Sequence, residues 1–146
     1  MKRVILINGP NLNLIGTREP EKYGEKGFED IMQELNGFAG KNGIVLEYFQ
    51  SNNEGDIIDK IHAAANNFDY IIINPGALTH YSYSIHDALL SVKLPAIEVH
   101  ITNIFARENW RQKSVISPAV SGVISGLGTD VYLIALIYIS KKLSEK

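Results

Sequence analysis

Apolar positions change period along this chain, and the change marks the elements. Five short runs rich in aliphatic residues read as buried strands: Arg3 to Ile7, Ile44 to Phe49, Tyr70 to Ile73, Ala96 to Val99 and Val120 to Ile124. Between them apolar residues recur at helical spacing. Phe28, Ile31, Met32, Leu35 and Phe38 form one set; Ile57, Ile58, Ile61 and Ala65 a second; Ile85, Ala88, Leu89 and Val92 a third. The breakers fall between the sets. Asn8-Gly9-Pro10 stops the first strand, and Gly37, Gly40 and Gly43 loosen and end the first helix. Asn74-Pro75-Gly76 ends the third strand, Thr79-His80 begins the helix after it, and Pro95 opens the fourth strand. Thr129 reads as the N-cap of a last helix.

This βαβα alternation predicts an α/β fold, a parallel sheet with helices on both faces. Right-handed crossovers leave a doubly wound, flavodoxin-like arrangement, with order 2-1-3-4-5 the natural one for five strands. No repeat or linker divides residues 1–146, so one domain is expected. The last helix is apolar almost all round from Val131 to Ile139. One face covers the sheet and the other needs a cover, either a neighbouring helix and loop or a second subunit, so a homo-oligomer is expected.

Composition narrows the function. Fourteen basic residues against sixteen acidic ones leave a net charge of −2, which provides no electrostatic footprint for nucleic acid or an anionic membrane. There is no cysteine, which removes disulfides, thiolate metal sites and thiol nucleophiles together. Val4 to Ile7 is too short for a signal sequence and Val131 to Ile139 too short for a membrane span, so a cytosolic protein is expected.

In such a fold ligands bind beyond the carboxyl ends of the strands. Asn8-Gly9-Pro10-Asn11, Gln50-Ser51-Asn52, Asn74 and Glu98-Val99-His100-Ile101-Thr102 all fall there, which suggests a site without naming its chemistry. Glu98 and His100 are two apart on a strand and share a face. A carboxylate beside an imidazole holds its tautomer and favours its protonated form, which suits a general acid; a structural hydrogen bond or half a metal site are the alternatives. His62, His80 and His86 show no recognisable metal-ligand spacing. Arg18 and Tyr23 lie in the long loop Leu12 to Gly27, of a length typical of lids. A guanidinium near a phenol favours tyrosinate, although either residue alone is ordinary in a loop.

His80 and Asp87 are seven apart, as if stacked on one helix face, and Ser82 and Ser84 nearby invite a Ser-His-Asp reading that lacks a Gly-x-Ser-x-Gly elbow. Gly122, Gly126 and Gly128 match no phosphate-binding spacing and suit tight packing at the last strand–helix turn. Arg107 and Arg111 stand at helical spacing, fit either for a carboxylate or for surface salt bridges.

Taken together, the segments Ile7 to Gly24, Ile73 to His80, Asp87-Ala88-Leu89, Glu98 to Asn103, Ala106-Arg107-Glu108 and Arg111 resemble the type II 3-dehydroquinases, the 3-dehydroquinate dehydratases of the shikimate pathway. The likeness runs essentially end to end, in order and without a large insertion. It implies a lyase that dehydrates 3-dehydroquinate through an enolate. Tyr23 would be the base, as tyrosinate kept ionised by Arg18, and Asn11 would hold a water against the enolate. His100, oriented by Glu98, would protonate the departing hydroxyl. Asn74, His80, Arg111 and the Ile101–Thr102 segment would bind substrate, with Asp87 reaching the site from a neighbouring subunit and Arg107 structural. The resemblance implies no metal or organic cofactor, no lysine Schiff base, and a dodecamer of trimers. Thr102 stands where serine is usual, Leu78 for a frequent tyrosine, His86 for arginine, Phe105 for histidine, and Gln112-Lys113 where basic or histidine residues are usual. A flavodoxin-like nucleotide- or flavin-binding module and a Ser-His-Asp hydrolase are the competing classes.

Overall fold

The structure is a computed structural model and describes residues 1–16 and 27–146. β1 (Lys2–Asn8) is its centre: Val4 through Asn8 are fully buried, as expected of a parallel strand covered on both faces. It pairs in parallel with β2 (Ile44–Gln50) on one side and β3 (Tyr70–Asn74) on the other. β4 (Ala96–His100) and β5 (Gly122–Ser125) extend the sheet beyond β3, so the order is 2-1-3-4-5.

Alternation along the strands builds two cores. Val4 and Leu6 pack with α1 (Phe28–Lys41) and α4 (Asp130–Ser144), through Ile31, Leu35, Val131 and Leu136. Ile5 and Ile7 pack with α2 (Glu54–Ala64) and α3 (Tyr83–Val92), through Ile57, Ile61, Ile85 and Leu89. Two helices on each face make the fold doubly wound and flavodoxin-like, as the alternation predicts.

Four local expectations change. α1 runs through Gly37 and Gly40 to Lys41, because burial of Ile31, Leu35 and Ala39 outweighs the roughly 1 kcal/mol that each glycine costs a helix. Thr79 and His80 do not begin α3. They finish a 3₁₀ turn, Gly76–His80, and Ser82 caps α3 by accepting the Ile85 N–H at 3.1 Å. Thr129 does stand at the N-cap position of α4, but its dihedrals are helical and its side chain makes no cap hydrogen bond. Arg107 and Arg111 share no helix, since an extended Arg107 separates the 3₁₀ turns Ile104–Ala106 and Asn109–Arg111.

Of Gly122, Gly126 and Gly128 only Gly126 serves tight packing, since a Cβ on Gly128 would meet nothing within 4 Å and one on Gly122 only the tip of Ile97 at 4.0 Å. Gly126 has φ +95°, and a Cβ there would lie 2.9 Å from the Cβ of Asn103. On α4, Val131, Tyr132, Ala135, Leu136, Ile139 and Leu143 are buried, whereas Ile134, Ile137 and Tyr138 stay exposed on the single chain. Among the described residues no helix is long and apolar enough to cross a membrane.

Candidate active site

The strand register brings polar residues level at the carboxyl edge of the sheet. Asn8 lies opposite both Gln50 and Asn74, and Ile73 lies opposite Glu98, so His100 projects just past the end of β3. The strand order reverses between β1 and β3, the switch point where open α/β sheets bind ligands. The two turns that leave these strands are locked together. Gly9 N–H donates to the Asn74 carbonyl at 2.8 Å, and a Cβ on Gly9 would sit 2.5 Å from the Pro75 carbonyl oxygen. Gly76, at φ +61°, makes the reciprocal approach to Pro10.

A cavity opens at this junction. One wall is Pro10 to Leu12 with Leu14 and Ile15; a second is Asn74, Gly76, Ala77 and His80; the third carries His100 to Thr102, Ile104, Arg107 and Arg111. Of the polar side chains expected at the strand ends, Asn11, Asn74, His100 and Thr102 meet in this cavity, whereas Gln50, Ser51 and Asn52 do not line it.

The most constrained group is Glu98. It is fully buried, and its Oε2 is bonded by His100 Nε2. Thr79 and Ser114 hydroxyls donate to the same oxygen at 2.7 and 2.9 Å, and Ser117 donates to Oε1 at 2.8 Å. Burial pushes the Glu98 carboxyl up, but the bonds from His100, Thr79 and Ser117 outweigh it and hold the group below the usual carboxylate range. With Nε2 fixed on Glu98, Nδ1 of His100 is without a hydrogen-bond partner among the described residues, and the ring lines the cavity. An imidazole braced by a buried carboxylate at a cavity wall can give or take a proton there.

His80 is set up differently. Its Nδ1–H donates to the Lys113 carbonyl at 2.7 Å, which leaves Nε2 as an acceptor in the neutral ring. Burial holds its pKa below the ordinary histidine value, which favours that neutral form. Arg111 spends its Nε on Glu108 at 3.1 Å and lays its guanidinium 3.9 Å from the centroid of Trp110, leaving its terminal nitrogens for a carboxylate. Asn11 adopts the left-handed conformation, φ 70°, which asparagine tolerates. Its backbone N–H donates to Asn52 Oδ1 at 2.9 Å, and its side-chain amide makes no hydrogen bond among the described residues.

Beneath the cavity a polar bridge crosses the apolar layer. The Tyr132 hydroxyl donates to Asn8 Oδ1 at 2.9 Å and accepts from Asn74 Nδ2 at 2.9 Å, while Gly76 N–H donates to Asn74 Oδ1 at 3.2 Å. Tyr132 lies in a run read as apolar almost all round; a tyrosine in the first turn of that helix is the signal that was available.

Asp87 does not reach this cavity. It lies on the exposed side of α3, bonded to His86 Nδ1 at 3.0 Å, and the break at Tyr81–Ser82 keeps it off the element that carries His80. Ser82 is occupied by Ile85 N–H and Glu54, so the Ser-His-Asp constellation does not form. Arg107, read as structural, also lines the cavity and donates to Thr102 Oγ1 at 3.3 Å. Arg18 and Tyr23 lie outside the described residues. Among the described residues no group of three or more His, Asp or Glu is placed to hold a metal ion.

Fold and cavity together define an α/β enzyme whose cavity opens at the carboxyl edge of a parallel sheet, lined by the titratable side chains His80 and His100. The sequence profile described as "Dehydroquinase class II" matches residues 2–140, and the chain belongs to that family of hydro-lyases. It is similar to the 3-dehydroquinate dehydratase of Caldicellulosiruptor bescii, 58% identical over 137 residues that cover 93% of this chain and 94% of the relative. The 3-dehydroquinate dehydratase of Thermotoga maritima is 50% identical over 143 residues, 98% of each chain. The crystal structure of the type II dehydroquinase from Propionibacterium acnes matches with a TM-score of 0.92 at 40% identity, covering 97% of each chain.

Proposed function

We propose that this chain dehydrates 3-dehydroquinate to 3-dehydroshikimate, a reaction of the shikimate pathway, by anti elimination through an enolate. The observation that carries the reading is the buried Glu98–His100 pair opening on a cavity shared with Asn11, Asn74, His80 and Arg111.

Loss of water from a β-hydroxy ketone needs a base at the carbon beside the carbonyl, a stabiliser for the enolate and an acid for the leaving oxygen. Tyr23, as tyrosinate beside Arg18, removes the proton; the electron pair passes to the ketone oxygen. A water held by the free Asn11 amide donates to that oxygen. As the enolate collapses, the carbon–oxygen bond breaks and His100, backed by Glu98, gives its proton to the departing hydroxyl, which leaves as water. Arg111 takes the substrate carboxylate in a two-point grip, and the His80 Nε2 accepts a substrate hydroxyl, while Asn74 and the Ile101–Thr102 segment complete the grip. The route uses no lysine Schiff base, and no metal or organic cofactor is invoked.

Residues 1–146 act as one catalytic domain. The exposed outer face of α4 and the outward-facing Asp87 support a homo-oligomer, a dodecamer of trimers in which Asp87 serves a neighbouring site. The balanced charge suits a cytoplasmic protein with neither nucleic acid nor membrane as partner.

The test is the rise in ultraviolet absorbance as an enone forms from 3-dehydroquinate. Wild-type protein should show it, and Tyr23→Phe should lose nearly all turnover while retaining fold and binding. A Tyr23→Phe variant with most of its activity, or inactivation by borohydride in the presence of substrate, would defeat the proposed route.

A further inference from the structure

The proton-donor half of the site contains a device that the reaction scheme leaves unused. Glu98 is fully buried, and among the described residues its one basic partner is the His100 ring. Three hydroxyls from two separate segments share the remaining charge: Thr79 from the turn after β3, and Ser114 and Ser117 from the segment before β5. The direction of the Ser114 bonds is constrained by its backbone partners. The Ser114 oxygen already accepts the N–H groups of Ile116 and Ser117 at 3.2 and 3.0 Å, so its own proton is left for Glu98 or for Thr79. A protonated Glu98 would therefore find no free acceptor at Ser114, whereas the anion is met on both oxygens.

We propose that Thr79, Ser114 and Ser117 are positioning residues whose hydroxyls form a donor cage that keeps Glu98 an anion and so holds His100 as a proton donor facing the cavity. This deepens the dehydratase reading and rests on it for the role of His100. The depressed Glu98 carboxyl agrees, since bonds from Thr79 and Ser117 contribute to it. The other titratable or charged groups facing the pair are His80, on the turn after β3, and Arg107 and Arg111, on the segment after β4. On the flanking strands the register neighbours of Glu98 are the uncharged Ile73 and Val123. None of these groups is altered in the variants below, so their fields are common to every measurement.

The sign follows from linkage between hydrogen bonding and ionisation. Fewer donors make Glu98 easier to protonate, so its midpoint rises, and His100 loses its anionic partner at a higher pH than before. Among the described residues Ser117 is the only donor on Oε1, which makes Ser117→Ala the cleanest deletion. Thr79→Val removes a donor from Oε2 at nearly constant volume, and Thr79→Ser restores it.

The acid limb of kcat/KM for 3-dehydroquinate should move up by about one pH unit in Ser117→Ala and in Thr79→Val, a tenfold change in ionisation, and stay at the wild-type position in Thr79→Ser. The carbon-13 shift of the Glu98 carboxyl, followed through a pH titration without substrate, should show the same displacement. A uniform loss of activity or of stability with unmoved midpoints would overturn the cage and leave the hydroxyls merely structural. If wild-type protein fails to turn over 3-dehydroquinate, the dehydratase reading falls, and the carboxyl titration still decides the cage. Should both variants fail to fold, the wild-type titration decides alone: a Glu98 midpoint at or above the ordinary carboxylate range refutes it.

Discussion

Replacing Tyr132 by phenylalanine deletes one oxygen atom from the layer beneath the site, and the cost can be worked from its partners. The hydroxyl makes two bonds of 2.9 Å in a fully buried setting, to Asn8 Oδ1 and from Asn74 Nδ2. Each bond contributes about 1 kcal/mol net, and leaving a buried polar atom unpaired costs about 1–3 kcal/mol. Asn8 bears the larger loss: its Nδ2 is already buried without a partner among the described residues, and the variant would also take the Tyr132 hydroxyl from its Oδ1. Asn74 keeps the Gly76 N–H on its Oδ1. The phenyl ring retains the packing against Phe28, whose ring centroid lies 5.4 Å from that of Tyr132, so little packing is lost. We expect Tyr132→Phe to lose about 2–4 kcal/mol, falling to about 1 kcal/mol if the two amides close on each other. Urea unfolding followed by circular dichroism at one fixed protein concentration reads the difference. Burial pushes the Tyr132 phenol well above its ordinary pKa, so the hydroxyl remains a donor through mildly alkaline solution and the cost should not vary with pH there. A stability within about 0.5 kcal/mol of wild type, or a cost that fades as pH rises, would refute the bridge as a stabilising element.

Two further outcomes follow from contacts at the cavity wall. Gly9→Ala places a Cβ 2.5 Å from the Pro75 carbonyl oxygen, and because that obstacle is backbone the turns after β1 and β3 must part. A loss of about 1–3 kcal/mol in thermal or urea unfolding is expected, and an alanine variant as stable as wild type would show that the turns are not locked. Trp110 is the only tryptophan of the chain, half-exposed, with its ring centroid 3.9 Å from the Arg111 guanidinium. An anion gripped by Arg111 should shift or quench its fluorescence, and Arg111→Ala should abolish the response; unchanged emission at saturating 3-dehydroquinate would place the carboxylate elsewhere.

The sheet was legible in the sequence because its strands are buried on both faces and so are written as unbroken apolar runs, Val4 to Ile7 and Tyr70 to Ile73 among them. Helix ends were less so. The start of α3 depends on a 3₁₀ turn that Gly76 allows and that Thr79 helps hold through its bond to Glu98, a partner nineteen residues away. Local capping rules placed the boundary at Thr79 because they see only neighbours along the chain. The same blindness put Arg107 and Arg111 on one helix, where tertiary contacts instead leave Arg107 extended and turned to the cavity.

The site shows the same division at finer scale. Glu98 and His100 could be read as a pair because an i, i+2 relation on a strand is itself a statement about direction. What decides their protonation could not, since Thr79, Ser114 and Ser117 are common residues with no motif spacing. They converge only because β3, β4 and β5 lie side by side. A buried carboxylate next to an imidazole is by itself ambiguous: the proton can rest on either group, and burial alone favours the neutral acid. Three hydroxyls whose protons point at the carboxylate remove that ambiguity without adding a competing positive charge. An arginine or lysine in their place would also hold Glu98 ionised, but it would repel the protonated imidazole that an acid catalyst needs. Neutral donors are therefore the arrangement that stabilises the anion and leaves the imidazolium as its natural counterion.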